Sequence, residues 1–219
     1  MPLQPQLPYP WMLDLLERLR ARFAAEQRDG AHDLAHCRRV ARLASELAAE
    51  AGADAEACMA AALLHDLVYL AKNHPDSSGT ARQGAELART WCRDIPALAG
   101  RAELIADAVG SHSYSGGARA GSPEAAVLQD ADRLEALGAI GLARVFATGG
   151  AMGAGLWHAE DPWGQTRELD DKAWSLDHFP RKLLKLAAAM NTPGGQRLAV
   201  AREKVLRDFL RALEAELGG

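Results

Sequence analysis

Two histidine-aspartate pairs occur in this chain, in the stretches AHDLAH at residues 31–36 and LLHDL at residues 63–67. Imidazole nitrogens and carboxylate oxygens both bind divalent transition metals. An aspartate inside the apolar run AALLHDLVYL would be costly to bury unless it were paired or coordinated to a cation. His65 and Asp66 therefore predict a metal site.

His36 is the first candidate to complete that site. On a helix it shares one face with Val40, Leu43 and Leu47, at steps of four, three and four residues, so its imidazole should face the core. A buried imidazole needs a polar partner, and a metal ion would be one.

The pair His32-Asp33 is interpreted differently, because Asp33 stands where a helix N-cap belongs. His32 and His36 are four residues apart, which is also the spacing in zinc-binding HExxH helices. That motif requires a glutamate after the first histidine and regular helix at both positions. Asp33 follows instead, and Gly30 is close by, so only His36 is assigned from this stretch.

A later apolar helix, AAVLQDADRLEALGAIGLA, is interrupted by Asp130 and Asp132. Both are interpreted as inward carboxylates that a cation would explain. A site of His36, His65, Asp66 and Asp132 combines two imidazoles and two carboxylates from three helices. Such a site keeps coordination positions open for water, which a divalent ion turns into a nucleophile. The predicted chemistry is hydrolysis of a phosphoester or phosphoanhydride.

Further side chains are predicted near the substrate, each with a structural alternative. His112, where a helix ends, would bond a phosphate or the attacking water, or cap the helix. Lys72 would reach a phosphate from the rim, or be a solvated loop charge. Arg133 would bind a phosphate or pair with Asp130, which in turn would orient a ligand histidine or act as a base.

A last group of polar residues lies on a helix predicted over about 177–190. His178, Lys182 and Lys185 recur at i, i+4 and i+7, so they share one face. We expect them to line the mouth of the site and to meet an anionic substrate, with a solvated surface as the alternative for the lysines.

The elements that position these residues are predicted to be helices alone. Alanine and leucine dominate, aromatic residues make up 5%, and 219 residues suffice for one domain. The periodicity and the cap residues predict helices at about 11–26, 33–51, 54–70, 80–93, 97–111, 122–148, 177–190 and 192–217. The glycine-rich segment 149–171 lacks periodicity and is predicted to be a lid.

Charge and composition exclude several classes of protein. The net charge of -4 comes without a basic stripe, so we expect no nucleic-acid partner. No apolar run reaches membrane-spanning length and no signal peptide begins the chain, so we expect a cytoplasmic protein. Cys37, Cys58 and Cys92 are widely spaced, which suggests packing residues and neither disulfides nor a thiolate zinc site.

The order His36, His65-Asp66 and Asp132 resembles the HD-domain superfamily of metal-dependent phosphohydrolases. The similarity extends over nearly the whole chain, which resembles a small bacterial branch of that superfamily. It is carried by HDLAHCRRV, LLHDLVYLAKNHPD, SHSYS, QDADRLEALGAIGLAR, DPWGQTRELDD, DHFPRKLLKL and MNTPGGQRLAVAR.

The resemblance implies an all-α, compact single-domain helical bundle over 1–219, with the four named residues as metal ligands. It also implies a nucleotide substrate, a nucleoside triphosphate split to monophosphate and pyrophosphate in similar proteins. The alternatives are a 5′-nucleotidase, a phosphodiesterase, or a binding module that a metal merely staples. We expect one divalent ion, manganese before magnesium, iron, cobalt, nickel or zinc, because the extra histidines of binuclear sites are missing. The resemblance is also compatible with a homodimer.

Overall fold

The computed structural model describes residues 9–26, 33–68, 79–112 and 119–218, and every structural statement below concerns these residues. In these ranges the chain is all-α, as predicted. The helices are α1 (Trp11–Ala24), α2 (Leu34–Ala51), α3 (Ala55–Leu64), α4 (Thr80–Arg93), α5 (Pro96–Ala99), α6 (Ala102–Gly110), α7 (Pro123–Leu134), α8 (Gly138–Ala151), α9 (His178–Arg181) and α10 (Pro193–Glu216). Short 3-10 turns occupy Ser175–Asp177, Leu183–Lys185 and Ala187–Ala189.

Side-chain caps fix where several of these helices begin. Asp33 accepts a hydrogen bond from the amide of His36 at 2.7 Å, and Asp54 accepts one from Ala57 at 3.1 Å. Gly52 ends α2 with a φ of 66°, a conformation that glycine adopts without strain. The predicted α2 is confirmed, and the starts of α2 and α3 are set locally.

Helix α3 lies at the centre of the molecule and contacts α1, α2, α4, α6 and α7. Its residues from Ala57 to Leu64 are all buried, and many are alanines that let neighbouring helices approach closely. Because α2 and α7 both pack on α3, the ends of these three helices can present side chains to one another.

The prediction that α3 continues to about residue 70 is wrong. The helix ends at Leu64, and the structure continues as a turn in which the amide of Leu67 bonds the carbonyl of Leu64. The imidazole of His65 bonds the carbonyl of Ala62 at 2.8 Å, within the last helical turn. His65 therefore caps the helix, and Asp66 lies just beyond it.

The predicted helix over 122–148 is two helices that meet at 68°. The break covers residues 135–137, and Gly138 begins α8 with a φ of 69°. A side chain at Gly141 would place its Cβ 2.2 Å from the backbone of Ala136, so the bend depends on a close backbone approach. The predicted helix over 97–111 is also divided, into α5 and α6.

The predicted helix over 177–190 is wrong as one continuous element. Pro180 has no amide hydrogen, and Lys182 leaves the helical region with φ -133° and ψ -59°. Only one turn of α-helix forms, followed by 3-10 turns. The segment before it is irregular as predicted, but α8 runs to Ala151, so the irregular part begins at Met152.

No single helix in the described ranges is long and apolar enough to cross a membrane. Helices α7 and α8 pass that test only when taken together, and they are bent by 68°.

Candidate metal centre

The structure brings His36, His65, Asp66 and Asp132 into one cluster. Nε2 of His36 lies 3.3 Å from Nε2 of His65 and 3.5 Å from Oδ1 of Asp132. Nε2 of His65 lies 3.3 Å from Oδ2 of Asp66. The two remaining imidazole-to-carboxylate distances, His36 to Asp66 and His65 to Asp132, are both 3.8 Å.

These separations fit ligands that share one ion. Nitrogen and oxygen ligands bound at about 2.0–2.2 Å and 90–110° apart lie about 2.8–3.6 Å from each other. The imidazole nitrogens lie 3.3 Å from each other and 3.3 to 3.8 Å from a carboxylate oxygen of each aspartate, so small movements would bring these groups around a divalent cation. Two imidazoles with two carboxylates are a donor set that such ions accept.

The cluster is sealed on one side and open on the other. The side chains of His36 and His65 are 1% and 0% exposed, whereas those of Asp66 and Asp132 are 16% and 30% exposed. Solvent therefore reaches parts of both aspartate side chains but not the imidazoles, although Oδ2 of Asp66, which faces the imidazoles, is itself buried. Any small molecule that entered the site would meet the aspartates first.

Charge within the cluster favours a cation. Burial alone would lower the pKa of His65, but the carboxylates of Asp66 and Asp132 outweigh it and raise that pKa to about 9. Burial alone would raise the pKa of Asp132, yet the two histidines hold it well below its usual value. Asp132 is therefore stabilised as an anion by neighbouring positive charge, which a metal ion would also supply.

Sequence reasoning missed a buried acid behind His36. Oε2 of Glu135 lies 3.5 Å from Nδ1 of His36, and Arg39 donates to the same oxygen at 2.6 Å. Arg144, from α8, lies 3.1 Å from Nδ1 of His36. Burial would raise the pKa of Glu135, but the hydrogen bonds with His36 and Arg39 lower it overall. The available signal was spacing, since Glu135 follows Asp132 by three residues in the apolar stretch DRLEALG.

His112 lies beside the cluster at the end of α6. Its ring is 5.3 Å from that of His65, and its Nδ1 lies 2.6 Å from the carbonyl oxygen of Val109. A carbonyl oxygen can only accept a hydrogen bond, so Nδ1 carries the hydrogen. His112 therefore caps the helix end, which was the structural alternative predicted for it. Burial and the charge of His65 lower the pKa of His112. A contact with phosphate or water stays a prediction.

Asp130 is not part of the cluster, and the prediction that it orients a ligand histidine or acts as a base is wrong. Its carboxylate accepts hydrogen bonds from the amides of Asn191 at 2.8 Å and Thr192 at 2.7 Å, and from the Thr192 hydroxyl at 2.8 Å. These hydrogen bonds, with the Arg133 guanidinium 3.7 Å away, explain the buried carboxylate without a metal ion. Asp130 fastens the start of α10 to α7.

Arg133 pairs with Asp130, which was the structural alternative predicted for it. Its guanidinium lies 3.7 Å from Asp130 and donates to the carbonyl of Ala189 at 2.7 Å and to Gln129 at 3.0 Å. The bond to Ala189 joins α7 to the segment before α10. Binding of a phosphate by Arg133 stays a prediction.

His178, Lys182 and Lys185 do not share a helical face, because the helix breaks at Lys182. Nδ1 of His178 lies 2.8 Å from Asp171, and Lys185 is exposed. Their contacts with substrate stay predictions. Lys72 and His32 lie outside the described residues.

Several known proteins are similar to this chain. A family model described as the HD domain matches residues 33–137, which include all four clustered residues. The protein YpgQ of Bacillus subtilis is 39% identical over 98 residues, which span 45% of this chain and 42% of YpgQ. The chain thus aligns in sequence with less than half the length of that curated relative.

Solved structures resemble the chain over almost its full length. The crystal structure of Bacillus subtilis YpgQ in complex with ADP is 30% identical, with a TM-score of 0.70, and the match covers 93% of this chain and 98% of that one. The structure of an HD-superfamily hydrolase from Bacillus thuringiensis is 28% identical, with a TM-score of 0.70 and coverage of 94% and 96%.

Proposed function

We propose that this chain, which belongs to the HD-domain superfamily of hydrolases, is a metal-dependent phosphohydrolase that acts on a nucleotide. The reaction we infer is the hydrolysis of a nucleoside triphosphate to a monophosphate and pyrophosphate. The observation that carries the proposal is the cluster of two buried imidazoles and two partly exposed aspartates, in which each imidazole nitrogen lies within 3.8 Å of both carboxylates.

The proposed ligands are His36, His65, Asp66 and Asp132, and manganese is the ion we would test first. When bound, a divalent ion supplies a nucleophile from water near neutral pH and offsets charge on a phosphoryl oxygen. The two imidazoles hold their positions by packing in the core, and the two aspartates face the opening through which substrate would arrive.

We assign His112 the role of accepting the proton of the attacking water. Its Nδ1 hydrogen is committed to Val109, so in the neutral ring Nε2 has a lone pair that can accept a proton. The depressed pKa keeps this ring neutral near pH 7. Water would attack the α-phosphorus, the bond to the bridging oxygen would break, and pyrophosphate would leave with that oxygen.

The substrate class rests on similarity and on charge. The ADP in the crystal structure of YpgQ supports a nucleotide ligand for this chain as well. We assign binding of the outer phosphates to four cationic or polar side chains, those of Lys72, His178, Lys182 and Lys185. Arg133 would have to exchange its bonds to Ala189 and Gln129 for a phosphate to take part.

The test is a product analysis with purified protein. Nucleoside triphosphates, monophosphates and cyclic phosphodiesters are incubated with manganese or another divalent ion, and pyrophosphate and orthophosphate are measured separately. We expect pyrophosphate from a triphosphate, and no turnover by Asp66→Ala or Asp132→Ala. Circular dichroism confirms that each variant is folded. Metal-dependent turnover that survives Asp66→Ala would refute the proposal, and orthophosphate from a monophosphate would instead identify a nucleotidase.

A further inference from the structure

A buried carboxylate stands directly behind the imidazole of His36. Glu135 is 1% exposed and lies in the turn between α7 and α8. Its Oε2 lies 3.5 Å from Nδ1 of His36, on the ring edge opposite Nε2, which faces the cluster. Glu135 thus approaches the candidate centre from its sealed side and contacts it through His36.

Two arginines compensate the charge of this acid. Arg39, from α2, donates to Oε2 at 2.6 Å, and Arg144, from α8, lies 4.0 Å from the same oxygen. A buried carboxylate is stable only when it is paired in this way. Because both partners are arginines, which stay protonated at ordinary pH, Glu135 is maintained as an anion that can only accept a hydrogen bond.

Glu135 and Arg144 favour opposite protonation of the same ring nitrogen, Nδ1 of His36. A carboxylate at Nδ1 favours the tautomer with hydrogen on Nδ1, which leaves a lone pair on Nε2. A guanidinium at Nδ1, here 3.1 Å away, favours the reverse and places the hydrogen on Nε2. Only the first tautomer can bind a cation through Nε2.

We infer that Glu135 is a positioning residue that selects the metal-binding tautomer of His36, and that Arg144 competes with it for Nδ1. This inference rests on the proposed function, because it assumes that a cation occupies the cluster. Carboxylates placed behind a ligand histidine have this orienting effect in metal sites generally, and their loss typically weakens metal affinity about 10- to 100-fold.

The experiment compares manganese affinity of the full chain with those of Glu135→Gln and Arg144→Met, by titration against a chromophoric chelator. Glu135→Gln keeps the size of the side chain but loses the anionic acceptor, and we expect manganese binding about 10- to 100-fold weaker. Arg144→Met removes the competing donor, and we expect affinity equal to or tighter than that of the unaltered chain. A purely structural role would weaken both variants alike.

Asp177→Asn is the matched control, because Asp177 is also 1% exposed and is held by an arginine, with Arg167 donating at 2.6 and 2.8 Å. We expect it to lower thermal stability and to leave manganese affinity unchanged. Equal affinities for Glu135→Gln and the unaltered chain would overturn the inference, and so would a parallel loss in Arg144→Met. An unaltered chain that binds no manganese or other divalent ion would overturn the proposed function as well.

Discussion

Nε2 of His36 and Nε2 of His65 lie 3.3 Å apart, although the two residues are 29 positions apart in the sequence. Two buried imidazole nitrogens that face each other are stabilised only when a hydrogen or a cation lies between them. The packing of α2 against α3 enforces this approach. A bound ion would relieve it, and metal binding should therefore stabilise the fold.

We expect added manganese to raise the melting temperature. At a free concentration 100 times the dissociation constant, binding adds about 2.7 kcal/mol to the free energy of unfolding. For a chain of this size that corresponds to about 5–11 °C. Differential scanning fluorimetry with and without a chelator measures the shift, and an Asp132→Ala variant that shows the same shift would place the ion elsewhere.

Asp130 and Asp132 should behave differently although they are two residues apart. Asp132→Asn removes a proposed ligand, and we expect metal affinity to fall by more than about 100-fold, beyond the effect of an outer partner. Asp130→Asn leaves the cluster intact but weakens the bonds to Asn191 and Thr192, and we expect a loss of about 2–3 kcal/mol in unfolding free energy. Chelator titration and urea denaturation separate the two effects. Equal loss of metal binding in both variants would contradict the assignment.

The ion pair between Asp177 and Arg167 should make stability depend on pH in the acid range. Burial alone would raise the pKa of Asp177, but Arg167 and the amide of Asp170 outweigh it and lower that pKa below the ordinary value. The pair therefore stabilises the fold above the unfolded pKa of about 3.9, and this contribution is lost as the pH falls through the lower folded value. Urea denaturation between neutral and acid pH should show a smaller acid loss in Asp177→Asn than in the unaltered chain.

Two glycines of α8 offer a matched test of the bend. At Gly141 a Cβ would lie 2.2 Å from the backbone of Ala136, whereas at Gly150 nothing lies within 4 Å. We expect Gly141→Ala to destabilise the chain by about 3 kcal/mol, at the upper end of the cost of overpacking. Gly150→Ala should be neutral or stabilising by up to about 1 kcal/mol, because alanine favours helix. Similar unfolding free energies for both variants would show that the close approach is unimportant.

Local signals in the sequence predicted most of the helices and all four members of the cluster. Asp33, Gly52 and Ser122 mark helix ends through bonds or backbone angles formed within a few residues, so their effect is visible in the sequence. The apolar faces around His36 and His65 also predicted burial correctly. These features depend on neighbours in the chain.

Asp130 and Glu135 were misjudged because their roles depend on distant partners. Asp130 has the same apolar surroundings as Asp132, and only the amides of Asn191 and Thr192, about sixty residues later, distinguish a structural anion from a member of the cluster. The break after α7 is a local feature, in which Gly138 takes a φ of 69° and a side chain at Gly141 would meet the backbone of Ala136, but helical periodicity continues through it and hides it. Glu135 was missed because its partners come from α2 and α8.

The unequal exposure of the cluster implies an order of loading. In the described part of the chain the imidazoles are enclosed, so an ion would arrive past the two aspartates. A nucleotide bound as proposed would occupy that same passage. The ion would then have to be seated before the nucleotide enters, and it would stay trapped until the products depart.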